Sequence, residues 1–189
     1  MSILSKKSIL KLLNEGDIVI HPYDEKKVNN CSVDITLGNY YFRQSNETEI
    51  DVNKNQRLWN DKPIYEENII YLKPGELILA TSNEFIGSRK KCTTMLKSKS
   101  TTTRWGLDVC ASGGYGDIGY INRWAFPLHN RTNKIVNIKP GTRIAQIVFF
   151  YVTEDEDSYT LNGNYQKTDN LEELISTWKP ESVLPKAMS

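Results

Sequence analysis

The sequence predicts a mainly β protein, a distorted jelly roll or β-barrel with a short helix near each end. Short runs rich in Ile, Val, Tyr, Phe and Thr recur along the chain, punctuated by Gly, Pro, Asn and Asp, as strands and turns are. No helical pattern of ten or more residues is interleaved with them, which argues against a doubly wound sheet and for a sandwich or barrel. A chain of 189 residues can bury one proper core without disulfides or structural metal, so a single domain over 1–189 is expected.

Over residues 5–15, Ile9, Leu10, Leu12 and Leu13 recur at helical spacing, Ser5 or Ser8 can cap the start, and Gly16 stands where a C-terminal glycine belongs. The strand-like runs that follow are 18–20, 32–37, 40–43, 69–72, 77–81, 91–96, 107–110, 123–129, 135–138 and 144–152. Lys73-Pro74-Gly75 and Lys139-Pro140-Gly141 each place Pro-Gly at the centre of a type II turn, where glycine supplies the positive φ. After Thr153 the character shifts. Glu154-Asp155-Glu156-Asp157 and Asn162-Gly163-Asn164 read as a mobile or partner-supported segment, which makes 154–189 a lid or tail. Within it Asn170 can cap a last helix over 170–178, with Leu171, Leu174 and Ile175 on one face, and Pro180 and Pro185 leave a loose end.

The formal net charge is +1, with 24 Lys and Arg against 23 Asp and Glu. Nothing in that balance calls for nucleic acid or an anionic membrane as partner, and any phosphate binding must be local. Cys31, Cys92 and Cys110 are an odd number without CxxC spacing or a nearby His pair, so neither a disulfide framework nor a zinc site is indicated. Met1 runs into Lys6 and Lys7 with no apolar region behind them, and no stretch approaches the roughly 20 apolar residues that span a bilayer. A soluble, cytoplasmic protein with reduced thiols is expected.

Two segments carry chemistry. Lys97-Ser98-Lys99-Ser100-Thr101-Thr102-Thr103-Arg104, followed by Gly106, gathers two ammonium groups, a guanidinium and hydroxyls that can surround phosphate oxygens. It also reads as an ordinary solvated loop. Gly113-Gly114-Tyr115-Gly116-Asp117-Ile118-Gly119-Tyr120 lets the backbone fold tightly and sets a carboxylate beside an aromatic ring. That carboxylate can orient a water or hydroxyl, or can merely satisfy the amides of a hairpin.

Taken in order, these residues resemble the deoxycytidine triphosphate deaminases and their relatives, the trimeric deoxyuridine triphosphatases, over nearly the whole chain. Ser32-Val33-Asp34-Ile35-Thr36-Leu37-Gly38 is similar to the family's Ser-Val-Asp-x-x-Leu-Gly segment, and Leu72-Lys73-Pro74-Gly75-Glu76 to part of its central strand pair. Lys99-Ser100-Thr101-x-x-Arg104-x-Gly106 resembles the phosphate and catalytic segment, with Lys99 in place of an Arg. Asp117-x-Gly119-Tyr120, Lys139-Pro140-Gly141-x-Arg143-Ile144-Ala145-Gln146 and Tyr165-Gln166 resemble the glycine turn, the Pro-Gly-x-Arg-Ile-Ala-Gln strand and part of the C-terminal lid.

The resemblance implies a dUTPase-like β-clip fold and a homotrimer whose sites lie between subunits. It implies that Ser100, Thr101 and Arg104, with Lys99, hold phosphate or orient the reacting water, and that Gln146 bonds a phosphate oxygen. Asp117 would lie against the deoxyribose and the water, and Tyr120 on the sugar face. Tyr159, Tyr165 and Gln166 would come from the closing tail. Mg²⁺ would be held by substrate phosphates and water. One departure decides the activity. Aligned without a gap and anchored at Asn130, the deaminase glutamate falls on Pro127, which cannot carry a proton. Asn122 stands for a turn glycine, Gly116 for an Ile and Asn164 for a Lys. Hydrolysis of dUTP to dUMP and pyrophosphate is the leading expectation. The alternatives are a dCTP deaminase with another proton carrier, His129 being the one candidate nearby, and a nucleotide-binding protein without catalysis.

Overall fold

The computed structural model describes residues 2–54, 56, 58–154 and 156–186. Asp155 of the acidic run lies outside the described residues. In chain order the elements are β1 (Ser2–Ile3), α1 (Lys6–Asn14), β2 (Ile18–His21), β3 (Val33–Arg43), β4 (Ile64–Tyr65), β5 (Ile70–Leu72), β6 (Leu77–Ser88), β7 (Cys92–Ser98), α2 (Ser100–Arg104), β8 (Leu107–Val109), β9 (Tyr115–Gly116), β10 (Ile121–Asn130), β11 (Val136–Ile138), β12 (Arg143–Tyr151), α3 (Tyr159–Asn162) and α4 (Leu171–Thr177).

Among the described residues, one curled antiparallel sheet runs in the order β8-β10-β6-β3-β12-β7-β9, with β1, β2 and β4 added to β12, β6 and β3. β5 and β11 form a separate two-stranded ribbon. The core is filled by alternating inward residues such as Ile35, Leu37, Ile78, Ala80, Phe126, Leu128, Ile147 and Phe149. No described helix is long and apolar enough to cross a membrane.

Local chemistry sets the punctuation. Ser5 caps α1 by accepting the Ser8 N–H at 3.3 Å. At its other end Gly16, at φ +80°, lets Asp17 N–H reach back to Leu12 O and Gly16 N–H to Leu13 O, a Schellman ending. Both Pro-Gly turns form as expected: Gly75 and Gly141 have φ +70° and +86°, and Glu76 N–H and Thr142 N–H close them onto Lys73 O and Lys139 O.

Two strands run far beyond their expected lengths. The runs 32–37 and 40–43 are one strand, β3, carried past Gly38 with a register shift between Leu37 and Tyr41. A Cβ on Gly38 would stand 2.9 Å from Thr81 O, so the close approach of β6 needs a glycine there. β6 continues to Ser88 through Ser82-Asn83-Glu84, whose polarity resembles a loop. Glu84 is 0% exposed, and its carboxylate accepts from Lys27 Nζ at 2.6 Å, Thr36 Oγ1 at 2.7 Å and Thr36 N–H at 2.9 Å, which satisfies the charge inside the sheet.

The segment after Thr153 packs on the body rather than hanging free. Leu174 is buried against Val19, Phe85 and Ile121, and Leu184 against Phe42, Trp59 and Leu79. The Arg123 guanidinium lies over the Phe85 ring at 5.3 Å and the Trp178 ring at 4.7 Å. Leu171, Leu174, Trp178, Val183 and Leu184 therefore have partners within their own chain, whereas Ile175, expected on the same face, is exposed.

Candidate active site

The glycine turn opens onto a cleft of about 700 Å³. The turn and β10 contribute Asp117, Tyr120, Asn122, Trp124 and Pro127; Leu79, beside Pro127 on β6, and Trp59, Val183 and Pro185 line the rest. Asp117 is exposed and is the one carboxylate on that lining. Pro127 is half-buried, and its carbonyl accepts the Cys110 N–H at 2.9 Å, so the strand keeps its pairing although proline donates nothing. His129, two residues further along the same strand face, is not among the residues lining the cleft.

Positive φ at Cys110 (+76°) and Ala111 (+45°) bends the chain sharply beside the cleft, closed by Gly113 N–H on Cys110 O. Gly116 passes close to Trp124, where a Cβ would stand 2.7 Å from the indole. Tyr120 packs edge-on against Trp124 at 5.3 Å and Tyr159 at 5.2 Å. Although the residue as a whole is half-buried, desolvation pushes its phenol well above the usual range, and the neighbouring Tyr159 and Tyr165 add to the rise. It stays a neutral hydrogen-bonding phenol.

The tail supplies the floor. Tyr159 N–H donates to Ile118 O at 2.7 Å, and the Tyr159 hydroxyl accepts from Asn164 N–H and Tyr165 N–H at 3.1 Å each. Tyr165 lines the cleft, with its carbonyl accepting from Asn122 Nδ2 at 3.3 Å. Gln166 does not face the cleft: it is 4% exposed, and its amide is spent on the backbone of the turn.

Within one chain the basic segment is elsewhere. Lys99, Ser100, Thr101, Arg104 and Gln146 line none of the cleft. Ser100, Thr101 and Arg104 are exposed on α2, a helix absent from the sequence reading because Ser and Thr dominate it. Lys99 is half-buried, and its ammonium donates to both oxygens of Asp34 at 2.6 Å. Asn29 Nδ2 at 2.9 Å and Arg143 at 3.6 Å complete the shell of that buried carboxylate. Lys99 thus braces α2 against β3, and Gln146 sits on β12 opposite Asp34 and Lys97. Sequence reasoning assigned no role to Asp34, Trp59, Val183 or Pro185. Only Asp34 carried a signal, as the acid of the Ser-Val-Asp segment.

Residues 3–152 match the dCTP deaminase-like family, and the chain belongs to it. A dCTP deaminase, dUMP-forming, of Clostridium botulinum (strain Eklund 17B / Type B) is 35% identical over 173 residues, covering 90% of this chain and 94% of its own length. One of Dictyoglomus turgidum is 34% identical over 162 residues, 82% of this chain and 84% of the relative. The 2'-deoxycytidine 5'-triphosphate deaminase from Agrobacterium tumefaciens shares the fold, with a TM-score of 0.58 at 17% identity. The match covers 79% of this chain and 48% of that one, so this chain spans about half its length.

Proposed function

We propose that the protein hydrolyses a pyrimidine deoxynucleoside triphosphate, dUTP, to dUMP and pyrophosphate. The observation that carries this is the cleft wall on which Asp117 is the sole carboxylate and Pro127 fills the place that the resemblance gives to the deaminase glutamate. Asp117 takes a proton from a water whose oxygen attacks the α-phosphorus; the bond to the bridging oxygen breaks and pyrophosphate leaves. That displacement asks the protein for positioning and for cations against developing charge. Deamination asks for more, a group that protonates the ring nitrogen and the departing ammonia, and Pro127 has none to give. The relatives' name couples deamination to dUMP formation, and the hydrolysis proposed is the second half of that pair.

Among the described residues no group of three or more His, Cys, Asp or Glu side chains can hold a metal ion. Mg²⁺, brought in with the nucleotide, would be held by phosphate oxygens and water and would supply charge neutralisation of the polyphosphate. Ser100, Thr101, Arg104 and Gln146 complete the site from another copy in a homotrimer, which accounts for their distance from the cleft of their own chain.

Purified protein with Mg²⁺ is expected to release pyrophosphate from dUTP and no ammonia from dCTP. Ammonia from dCTP would establish the deaminase instead, and saturable binding of both nucleotides without product would establish a binding protein. Asp117→Asn and Arg104→Ala, each inactive alone, should regain about a quarter of the activity when mixed and allowed to exchange subunits, as shared sites require. No recovery despite exchange would remove the shared site.

A further inference from the structure

Besides the Tyr159 N–H on Ile118 O and the Asn122 Nδ2 on Tyr165 O, one buried side chain ties the tail segment to the glycine turn through both ends of its amide. Gln166 Oε1 accepts the Ile121 N–H at 2.7 Å, while its Nε2 donates to Gly119 O at 2.8 Å and to Thr168 O at 2.8 Å. Only an amide offers an acceptor and a two-fold donor at one end, and this one is buried, where each bond is undiluted by water. Its two partners in the turn flank Tyr120 and follow Asp117 closely. Gly119, at φ +85°, is further pinned by its N–H on Ser88 O at 2.8 Å and by Ser158, whose Oγ would stand 2.1 Å from a Cβ placed there.

From this geometry we propose that Gln166 is a positioning residue for the site. It ties the tail to the turn, so that seating of residues 158–168 and the alignment of Asp117 and Tyr120 are one event. The segment is then a fixed buttress of the reacting carboxylate, and Gln166 governs turnover without touching nucleotide. The kinetic part of this proposal rests on the hydrolase function; the structural part stands without it.

The full chain provides the test. Hydrogen exchange of peptides covering residues 117–124 should be slow without nucleotide and about tenfold or more faster in Gln166→Leu, with β3 and β12 peptides unchanged. Unchanged protection of the turn would overturn the proposal. Gln166→Glu covers a leucine variant that fails to fold. Protonated, the introduced carboxyl can donate to one of the two carbonyls; ionised, it faces both with no proton to give. Its kcat for dUTP is expected near wild type at low pH and about 100-fold lower once that carboxyl ionises, since small misplacement of a reacting group costs about that much. KM should stay within about threefold. A pH profile parallel to that of the wild type would overturn the proposal. Faster exchange in the turn of the variants, with no pyrophosphate from the wild type, would uphold the role of Gln166 and defeat the hydrolase.

Discussion

Asp117 is exposed at the mouth of a glycine turn, with the carboxylate free to meet a water, while Pro127 faces the same cleft as an inert surface. Asp117→Asn keeps the shape and removes the base, so kcat for dUTP should fall by about 10²-fold or more with little change in nucleotide affinity, measured by calorimetry beside turnover. Full turnover in that variant would remove Asp117 from the reaction. The reverse experiment is Pro127→Glu. Proline contributes no N–H to the sheet, so the substitution breaks no ladder bond and adds a carboxylate to the cleft. It is expected to confer ammonia release from dCTP, read by a coupled ammonia assay; none would mean that the site lacks more than the glutamate. Asp117 was read from the Asp-x-Gly-Tyr turn and Pro127 from its spacing to Asn130, and both line the same cleft. The partner of Lys99 was not, because nothing in a linear chain shows that Asp34 lies across the sheet from it.

At the level of elements, turns and helix ends were read well because single residues dictate them. Gly16, Gly75 and Gly141 all adopt positive φ, and Asn170 caps α4 by accepting the Glu173 N–H at 3.1 Å. Strand limits were read less well, because pairing overrides local polarity. Ser82 and Glu84 stay in β6 since Trp124 N–H and Thr36 N–H find them from neighbouring strands. In the glycine turn, Gly119 combines a positive φ with close packing against the tail. Gly119→Ala must hold φ +85° against Ser158 and Tyr159 and should cost about 2 kcal/mol or more, lowering Tm by several degrees. A Tm within a degree of the parent would show that the tail gives way freely at this point.

For the whole molecule, the acidic composition after Thr153 concealed a segment with its own apolar anchors. Leu171 and Leu174 pack as the apolar face read over 170–178 requires, while Ile175 of that face is exposed; Leu184, between Pro180 and Pro185, announced nothing, yet it too finds a satellite cluster on the body. Alkaline stability is set partly by a core thiol. Burial pushes Cys92 from 9.0 up to about 11, so the folded state keeps its proton after the unfolded chain has lost it. Its contribution is complete below about pH 9 and lost as pH rises through 11. Urea midpoints should fall across that window, and Cys92→Val should flatten part of the fall; an identical slope would assign it to other groups.

The order of strands has a temporal consequence. Among the described residues β12 is the last strand in sequence, but it lies between β3 and β7 and is bonded to both. A polypeptide leaving the ribosome can pair β6 with β3 and β10 early, but the strand that pairs with both β3 and β7 is absent until Arg143–Tyr151 emerges. The barrel wall thus closes only after residues 143–151 have been made, and nascent chains stalled before residue 143 should present open β3 and β7 edges to chaperones.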